Sequence, residues 1–268
     1  METPGEITAD VTGAASPGWM RRWLPRFGRT MLDVVYPAHC PGCGSGTAEP
    51  GTLCGPCWAT IPFIARPYCE RLGVPFGIDI GGPLLSPAAI AEPPVFDRAR
   101  AVALHDGHAR AFVHRLKFSD KLDLARPMGR MMAAAGAEVL AGADALVPVP
   151  LHWTRYLWRR FNQSEALAEE VGHWSGIPVA PRLIRRTKRT PQQIGLTRNQ
   201  RIANLQGAFA VPDVARPMIE GRRLVLIDDV HTTGATLNAC ARVLRRAGAS
   251  GVDVVTFTKV ADGLANPI

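Results

Sequence analysis

The sequence reads as an α/β protein, a doubly wound, mostly parallel sheet preceded by a small cysteine-built module. Three observations carry that reading. After residue 95, short apolar runs alternate with segments of helical period, the pattern of strands joined by crossover helices. Ahead of them, four of the six cysteines form two Cys-x-x-Cys pairs, "CPGC" at 40–43 and "CGPC" at 54–57. One apolar strand ends in two adjacent carboxylates and then a turn rich in threonine and glycine, "VLIDDVHTTGAT" at 225–236.

The chain of 268 residues is 47% apolar, enough to bury a sizeable core. Its net charge is +8, and residues 151–223 hold 13 Lys/Arg against 5 Asp/Glu. A basic central segment of this kind fits phosphate-rich partners or a solvated loop surface. No apolar run reaches the ~20 residues of a membrane span. No secretory core of ~7–15 apolar residues follows an N-terminal charge cluster. The expected location is therefore the cytoplasm. Residues 1–18 are polar and read as a disordered tail. The next stretch, "WMRRWLPRFGRTMLDVVYP", carries Leu24, Phe27, Met31, Val34 and Val35 on one helical face. That face packs on its own domain or rests on a membrane surface.

The cysteine pairs lie ten residues apart. Two such knuckles joined by a short loop make a tetrahedral zinc site, with Cys40, Cys43, Cys54 and Cys57 as ligands. Four thiolates leave no open position, so the zinc is structural. Two disulfides are the rival reading, and a reducing cytoplasm disfavours them. Cys69 and Cys240 fall outside the pattern. Cys240 shares a helical stripe with Leu237 and Leu244 and reads as core. The N-terminal helix and zinc module span 19–80. From Pro62 to Pro94 the chain is rich in proline and glycine and reads as irregular structure or linker.

The second domain spans 95–262. "ARAVALHDG" reads as a strand and turn, "HARAFVHRLKF" as a helix, and "LARPMGRMMAAAGAEVL" as one more helix. "DALVPVP" is a buried-type strand. "NQSEALAEEVGHWSG" is a helix stopped by glycine. "RRLVLI" (222–227) is a strand, "GATLNACARVLRRAGA" a helix, and "VDVVTFTKV" a last strand.

The stretch at 225–236 carries the chemistry. Ligands of open α/β sheets bind outside the carboxyl ends of the strands. Asp228 and Asp229 end the strand there. The next helix starts near Gly234, and free N–H groups at a helix start favour phosphate. Thr232, Thr233 and Thr236 add hydroxyls, and Gly234 and Ala235 form the turn into the helix. The paired carboxylates accept hydrogen bonds from vicinal ribose hydroxyls, with a divalent cation assisting. The ligand that satisfies both halves is a ribose 5-phosphate. Helix capping alone needs one such residue, whereas here two acids and three threonines share nine positions.

This stretch resembles the phosphoribosyl pyrophosphate (PRPP) motif of type I phosphoribosyltransferases. The whole chain resembles the ComF family, a competence-associated group with an N-terminal zinc ribbon. The resemblance rests on the two Cys-x-x-Cys pairs, "RLKF" at 115–118, "VPVPLHWTRYLWRRFNQSEALA" at 147–168, "RTKRTPQQIGLTRNQRIANLQGAF" at 187–209 and the PRPP motif, in family order. It implies a fold of the type I phosphoribosyltransferase kind that binds PRPP with Mg²⁺. Arg155, Arg159 and Arg160 would hold pyrophosphate. Lys188, Arg189, Arg198 and Arg201 would lie on a flap that meets phosphate. It implies a phosphoribosyltransferase whose acceptor the sequence does not name, connected with DNA uptake. The alternative is a PRPP-sensing or single-stranded-DNA-binding module without transferase activity, and Trp153, Tyr156, Trp158 and Phe161 lie interleaved with arginines there. Many family members carry a second zinc knuckle. Here "CERLG" keeps Cys69 but has Leu72 at the partner position, which implies a single zinc.

Overall fold

The structure, a computed structural model, describes residues 38–49, 51–79, 81–118, 122–151, 161–188 and 207–261. The tail at 1–18, the amphipathic stretch that follows it, Arg155, Arg159, Arg160, Arg189, Arg198 and Arg201 lie outside the described residues. Two five-residue helices mark the N-terminal module, α1 (Gly55–Ala59) and α2 (Pro87–Ala91). Then follow β1 (Ala99–Leu104), α3 (Gly107–Phe118), a 3₁₀ turn (Leu122–Leu124), α4 (Ala125–Ala135), α5 (Ala137–Leu140) and β2 (Ala145–Pro148). Next come α6 (Gln163–Ser175), β3 (Arg185–Arg186), β4 (Phe209–Ala210), a 3₁₀ segment (Asp213–Met218), β5 (Arg223–His231), α7 (Ala235–Arg246) and β6 (Gly251–Lys259).

Four strands form an all-parallel sheet in the order β1-β6-β5-β2. Parallel strands are covered on both faces and so read as continuous apolar runs. Alternate residues of β5 serve the two layers. Val225 and Ile227 pack with Phe112, Met128 and Leu167 on one face, and Leu224 and Leu226 pack with Leu237, Cys240 and Leu244 on the other. Cys240 is fully buried, as its helical stripe requires. β3 and β4 pair antiparallel, and beside them Thr187 N–H donates to the Ala208 carbonyl at 2.9 Å.

Both edges of the sheet are covered. Outside β1, Phe63 bridges Ala103 and Ile64 N–H donates to the Val102 carbonyl at 2.9 Å. Outside β2, Val179 bridges Leu146 and Ala180 N–H donates to the Leu146 carbonyl at 2.8 Å.

The structure corrects two readings. The stretch at 124–140 is not one helix, because it breaks at Gly136. A Cβ there would stand 2.7 Å from a Val255 methyl, so the chain passes too close to the sheet for a side chain. Of the two readings of the Pro62–Pro94 stretch, irregular structure holds and linker does not. It makes a turn at Cys69–Val74 and the helix α2, and it docks on β1, with Ala99 N–H donating to the Arg71 carbonyl at 2.9 Å. Local propensity reports the prolines and glycines and not the tertiary contacts that order them.

Candidate functional site

β5 lies between β6 and β2 and delivers its carboxyl end to the top of the sheet. The strand continues past the acids. Asp228 aligns with Thr256 and His231 with Lys259, so both carboxylates are held by a regular ladder and not by a loose turn. Asp228 Oδ1 accepts from Ser164 Oγ at 2.8 Å and from the Asp229 N–H at 3.0 Å. Asp229 is buried and pairs with Lys117 Nζ at 2.9 Å. Behind them Thr258 Oγ1 lies 2.8 Å from His105 Nδ1.

The two acids sit in different fields. Desolvation first, and then the charge of Asp229, push Asp228 up to about 7, against the opposing hydrogen bond from Ser164 and the charge of Lys117. A cation or hydroxyl donors beside Asp228 would relieve the cost of holding its charge there. Burial also holds His231 well below its usual range, so it is a neutral ring.

Beyond His231 the chain turns through Gly234, at φ 72°. A Cβ at that position would stand 3.0 Å from His231 Nε2, so glycine answers both the conformation and the space. α7 begins at Ala235 with no side-chain cap, which leaves its first N–H groups facing outward. Thr232 is exposed, and Thr236 is half-buried. Thr233 Oγ1 is buried with no hydrogen-bond partner among the described residues. A donor left without a partner beside an uncapped helix start suits an anion. Next to this turn lies a cavity of about 330 Å³ lined by Leu72, Phe96, His231, Thr233, Gly234 and Asn238 among others.

The structure thus brings together Asp228, Asp229, Thr232, Thr233, Gly234, Ala235 and Thr236 at one strand–helix junction. It adds Lys117 and Ser164, to which the sequence reading gave no role. Both lie in stretches quoted for the resemblance, "RLKF" and "FNQSEALA". Asn162 caps α6 and so places Ser164, and Lys117 stands in the last turn of α3. Of the residues expected on a flap, Lys188 is described, beside Gly207.

Far from this junction in sequence, Cys40, Cys43, Cys54 and Cys57 bring their Sγ atoms within 4.8 Å of one another. Tetrahedral zinc with Zn–S bonds of about 2.3 Å sets its sulfurs roughly 3.8 Å apart, so the cluster fits that ion. Hydrogen bonds from Ser45 and the neighbouring thiols hold Cys43 at about 6, while burial and the other three thiols push Cys57 to about 12. Four sulfurs this close cannot all ionise without a cation. Arg115 of α3 anchors the knuckle by donating to the Pro41 carbonyl at 2.9 Å.

Among the described residues no helix is long and apolar enough to cross a membrane. Residues 31–88 match the model of the double zinc ribbon domain, and residues 166–267 match that of the phosphoribosyl transferase domain. The DNA utilization protein YhgH of Salmonella typhi is 32% identical over 74% of this chain and 88% of its own length. YhgH of Escherichia coli K12 is 30% identical over 87% of this chain and 93% of its own. Competence protein F of Haemophilus influenzae is 29% identical over 84% and 92%. Ribbon, parallel sheet and sequence agree along the same stretch of chain, which therefore belongs to the ComF family of competence protein F and YhgH.

Proposed function

We propose that this chain binds PRPP with Mg²⁺ at the junction of β5 and α7, and that it transfers the phosphoribosyl group in the handling of incoming DNA. The observation that carries the reading is the pairing of Asp228 and Asp229 with an uncapped helix start and the unpartnered Thr233 hydroxyl. The carboxylates accept from the two ribose hydroxyls. The first N–H groups of α7, with Thr232, Thr233 and Thr236, receive the 5-phosphate. Arg155, Arg159 and Arg160 neutralise the departing pyrophosphate, and the flap with Lys188, Arg189, Arg198 and Arg201 closes over it. The bond from the anomeric carbon to pyrophosphate breaks as the bond to the acceptor forms. Mg²⁺ supplies neutralising charge on the diphosphate. Ser164 and Lys117 are positioning residues that hold the two acids in place.

Asp228 makes this binding depend on pH. Its folded-state value lies above the ordinary carboxylate value of 3.8. The stability it lends the free protein is therefore complete below about pH 4 and is lost as pH rises through about 7. Binding to Mg²⁺ and ribose hydroxyls uses the carboxylate and runs the other way. Calorimetry should show PRPP affinity rising up to about tenfold per pH unit below 7 and levelling above it. Asp228→Asn should flatten the profile. A wild-type profile that falls with pH contradicts the assignment.

The relatives' names, competence protein and DNA utilization protein, support single-stranded DNA and the uptake machinery as partners. The basic surplus of residues 151–223 supports the same reading. Pyrophosphate release from PRPP, measured with single-stranded DNA or free nucleobases as acceptors, separates a transferase from a sensor. PRPP bound without turnover leaves the sensor. Binding of the DNA itself should weaken with salt at a log–log slope of roughly −0.7 per phosphate contacted, read by fluorescence anisotropy. No anisotropy change at low salt removes the DNA partner.

A further inference from the structure

Residues 68–91 repeat the backbone of the zinc ribbon without its ligands. In the first ribbon Cys40 N–H donates to the Ser45 carbonyl at 2.6 Å, Gly44 N–H donates to the Cys40 carbonyl at 2.8 Å, and His39 bridges Gly46. In the second, Cys69 N–H donates to the Val74 carbonyl at 2.7 Å, Gly73 N–H to the Cys69 carbonyl at 2.8 Å, and Tyr68 bridges Pro75. The turn glycine is left-handed in both, at φ 81° for Gly44 and 63° for Gly73.

The other half of each ribbon also corresponds. Cys54 N–H donates to Cys40 Sγ at 3.3 Å, and Ser86 N–H donates to Cys69 Sγ at 3.2 Å. Cys54 and Ser86 each cap a five-residue helix with a proline in its first two positions, at φ/ψ of −68°/157° and −70°/152°. Cys57 is the third residue of α1, and Ala89 is the third residue of α2. By hydrogen-bond role, Cys69 stands for Cys40, Leu72 for Cys43, Ser86 for Cys54 and Ala89 for Cys57. One thiol, an isobutyl group, a hydroxyl and a methyl do not make a zinc site, which takes four N, S or O donors.

We infer that the second ribbon is a metal-free zinc ribbon, held by contacts that replace the ion, and that the chain binds zinc at the first ribbon alone. The Cys69 thiol is fully buried and accepts from the Ser86 and Leu72 N–H groups, and Ser86 Oγ accepts from Ala89 N–H at 3.3 Å. Leu72 packs against the core cluster that holds Phe96 and Ala99. A Cβ on Gly73 would stand 2.6 Å from the Ala99 carbonyl oxygen, so the turn lies directly on β1. Buried Arg100 of β1 donates to the Glu70 carbonyl and pairs with the Glu70 carboxylate, each at 2.8 Å. It also pairs with Glu138 and stacks 4.6 Å from the Tyr68 ring. A module too small for its own core needs a staple. The first ribbon uses an ion, and the second uses the α/β domain. The exchange reaches the candidate site, because Leu72 at a lost ligand position walls the cavity beside Thr233 and Gly234.

Zinc content of the full chain, with cobalt(II) absorption as a second readout, tests this. Wild type should hold one zinc per chain. Cys69→Ala should also hold one, with an unchanged cobalt–thiolate band. Leu72→Cys/Ser86→Cys/Ala89→Cys should hold two, with a band of about twice the intensity. Two zincs in wild type, or loss of zinc or of the cobalt band in Cys69→Ala, overturns the inference. So does a folded triple variant that stays at one. The Cys69→Ala result decides by itself if the triple variant does not fold.

Discussion

Cys43→Ser is expected to remove the zinc and to unfold the first ribbon while the parallel sheet stays intact. Structural zinc in small modules supplies ~10–16 kcal/mol of folding free energy, far more than the net stability of most domains. Beyond the hydrogen bonds from Arg115 and the packing of Leu53 on the core, little orders this ribbon. Cys43 is exposed, and among the described residues of the ribbon only Cys40, Gly42 and Cys57 are buried up to the end of α1. The α/β domain has its own two-sided core and borrows nothing from the ion. Metal analysis should read zero, and hydrogen exchange should rise across residues 38–60 and stay unchanged in β5 and β6. A variant that keeps its zinc at wild-type affinity rules out the four-cysteine assignment.

Asp229→Ala should weaken PRPP binding at least about a hundredfold without unfolding the protein. In the proposed site the Asp229 carboxylate accepts from a ribose hydroxyl, and losing a charge-assisted hydrogen bond costs ~1.5–3 kcal/mol before any effect on the cation. Lost contacts to a cation add to this, so affinity should fall by at least about a hundredfold. Lys117 loses its partner but is about a quarter exposed, at 26%, and can turn to water. The free variant should therefore melt close to wild type. At a hundred times Kd, a ligand adds about 2.7 kcal/mol to native stability. Wild type should show that rise with PRPP and Mg²⁺, and Asp229→Ala, weakened at least a hundredfold, should show no more than about 0.4 kcal/mol of it. A variant that binds within threefold of wild type removes Asp229 from the site, and a wild type that does not respond removes the PRPP reading.

Much of this was legible in the sequence because local pattern and tertiary role coincide there. Leu224 to Ile227 form an unbroken apolar run because the strand is buried on both faces, and Gly234 marks the turn because only glycine fits beside His231. The paired cysteines announce a metal because their spacing is local. Where function depends on elements far apart in sequence, pattern is silent. Lys117 reaches Asp229 from α3, and nothing in "RLKF" states that contact. The break at Gly136 follows from Val255, more than a hundred residues away in the chain. The remnant of a second knuckle is legible as Cys69 with Leu72 at its partner position, but Ser86 and Ala89 carry no local mark, and the hydrogen bonds that keep the ribbon backbone cannot be read from residue types.

The covered edges of the sheet determine how copies of this protein can meet. A parallel sheet with a bare outer strand invites another chain to pair with it, the route to strand-swapped dimers and to fibrils. Here residues 61–64 occupy the outer side of β1, and residues 178–180 occupy that of β2. Among the described residues, neither edge of this sheet offers a free row of amides for a neighbour to zip onto. Any assembly that keeps these segments seated must be built through side-chain surfaces on the flanks, and its geometry will follow the helices and the ribbon rather than the hydrogen-bond direction of the strands.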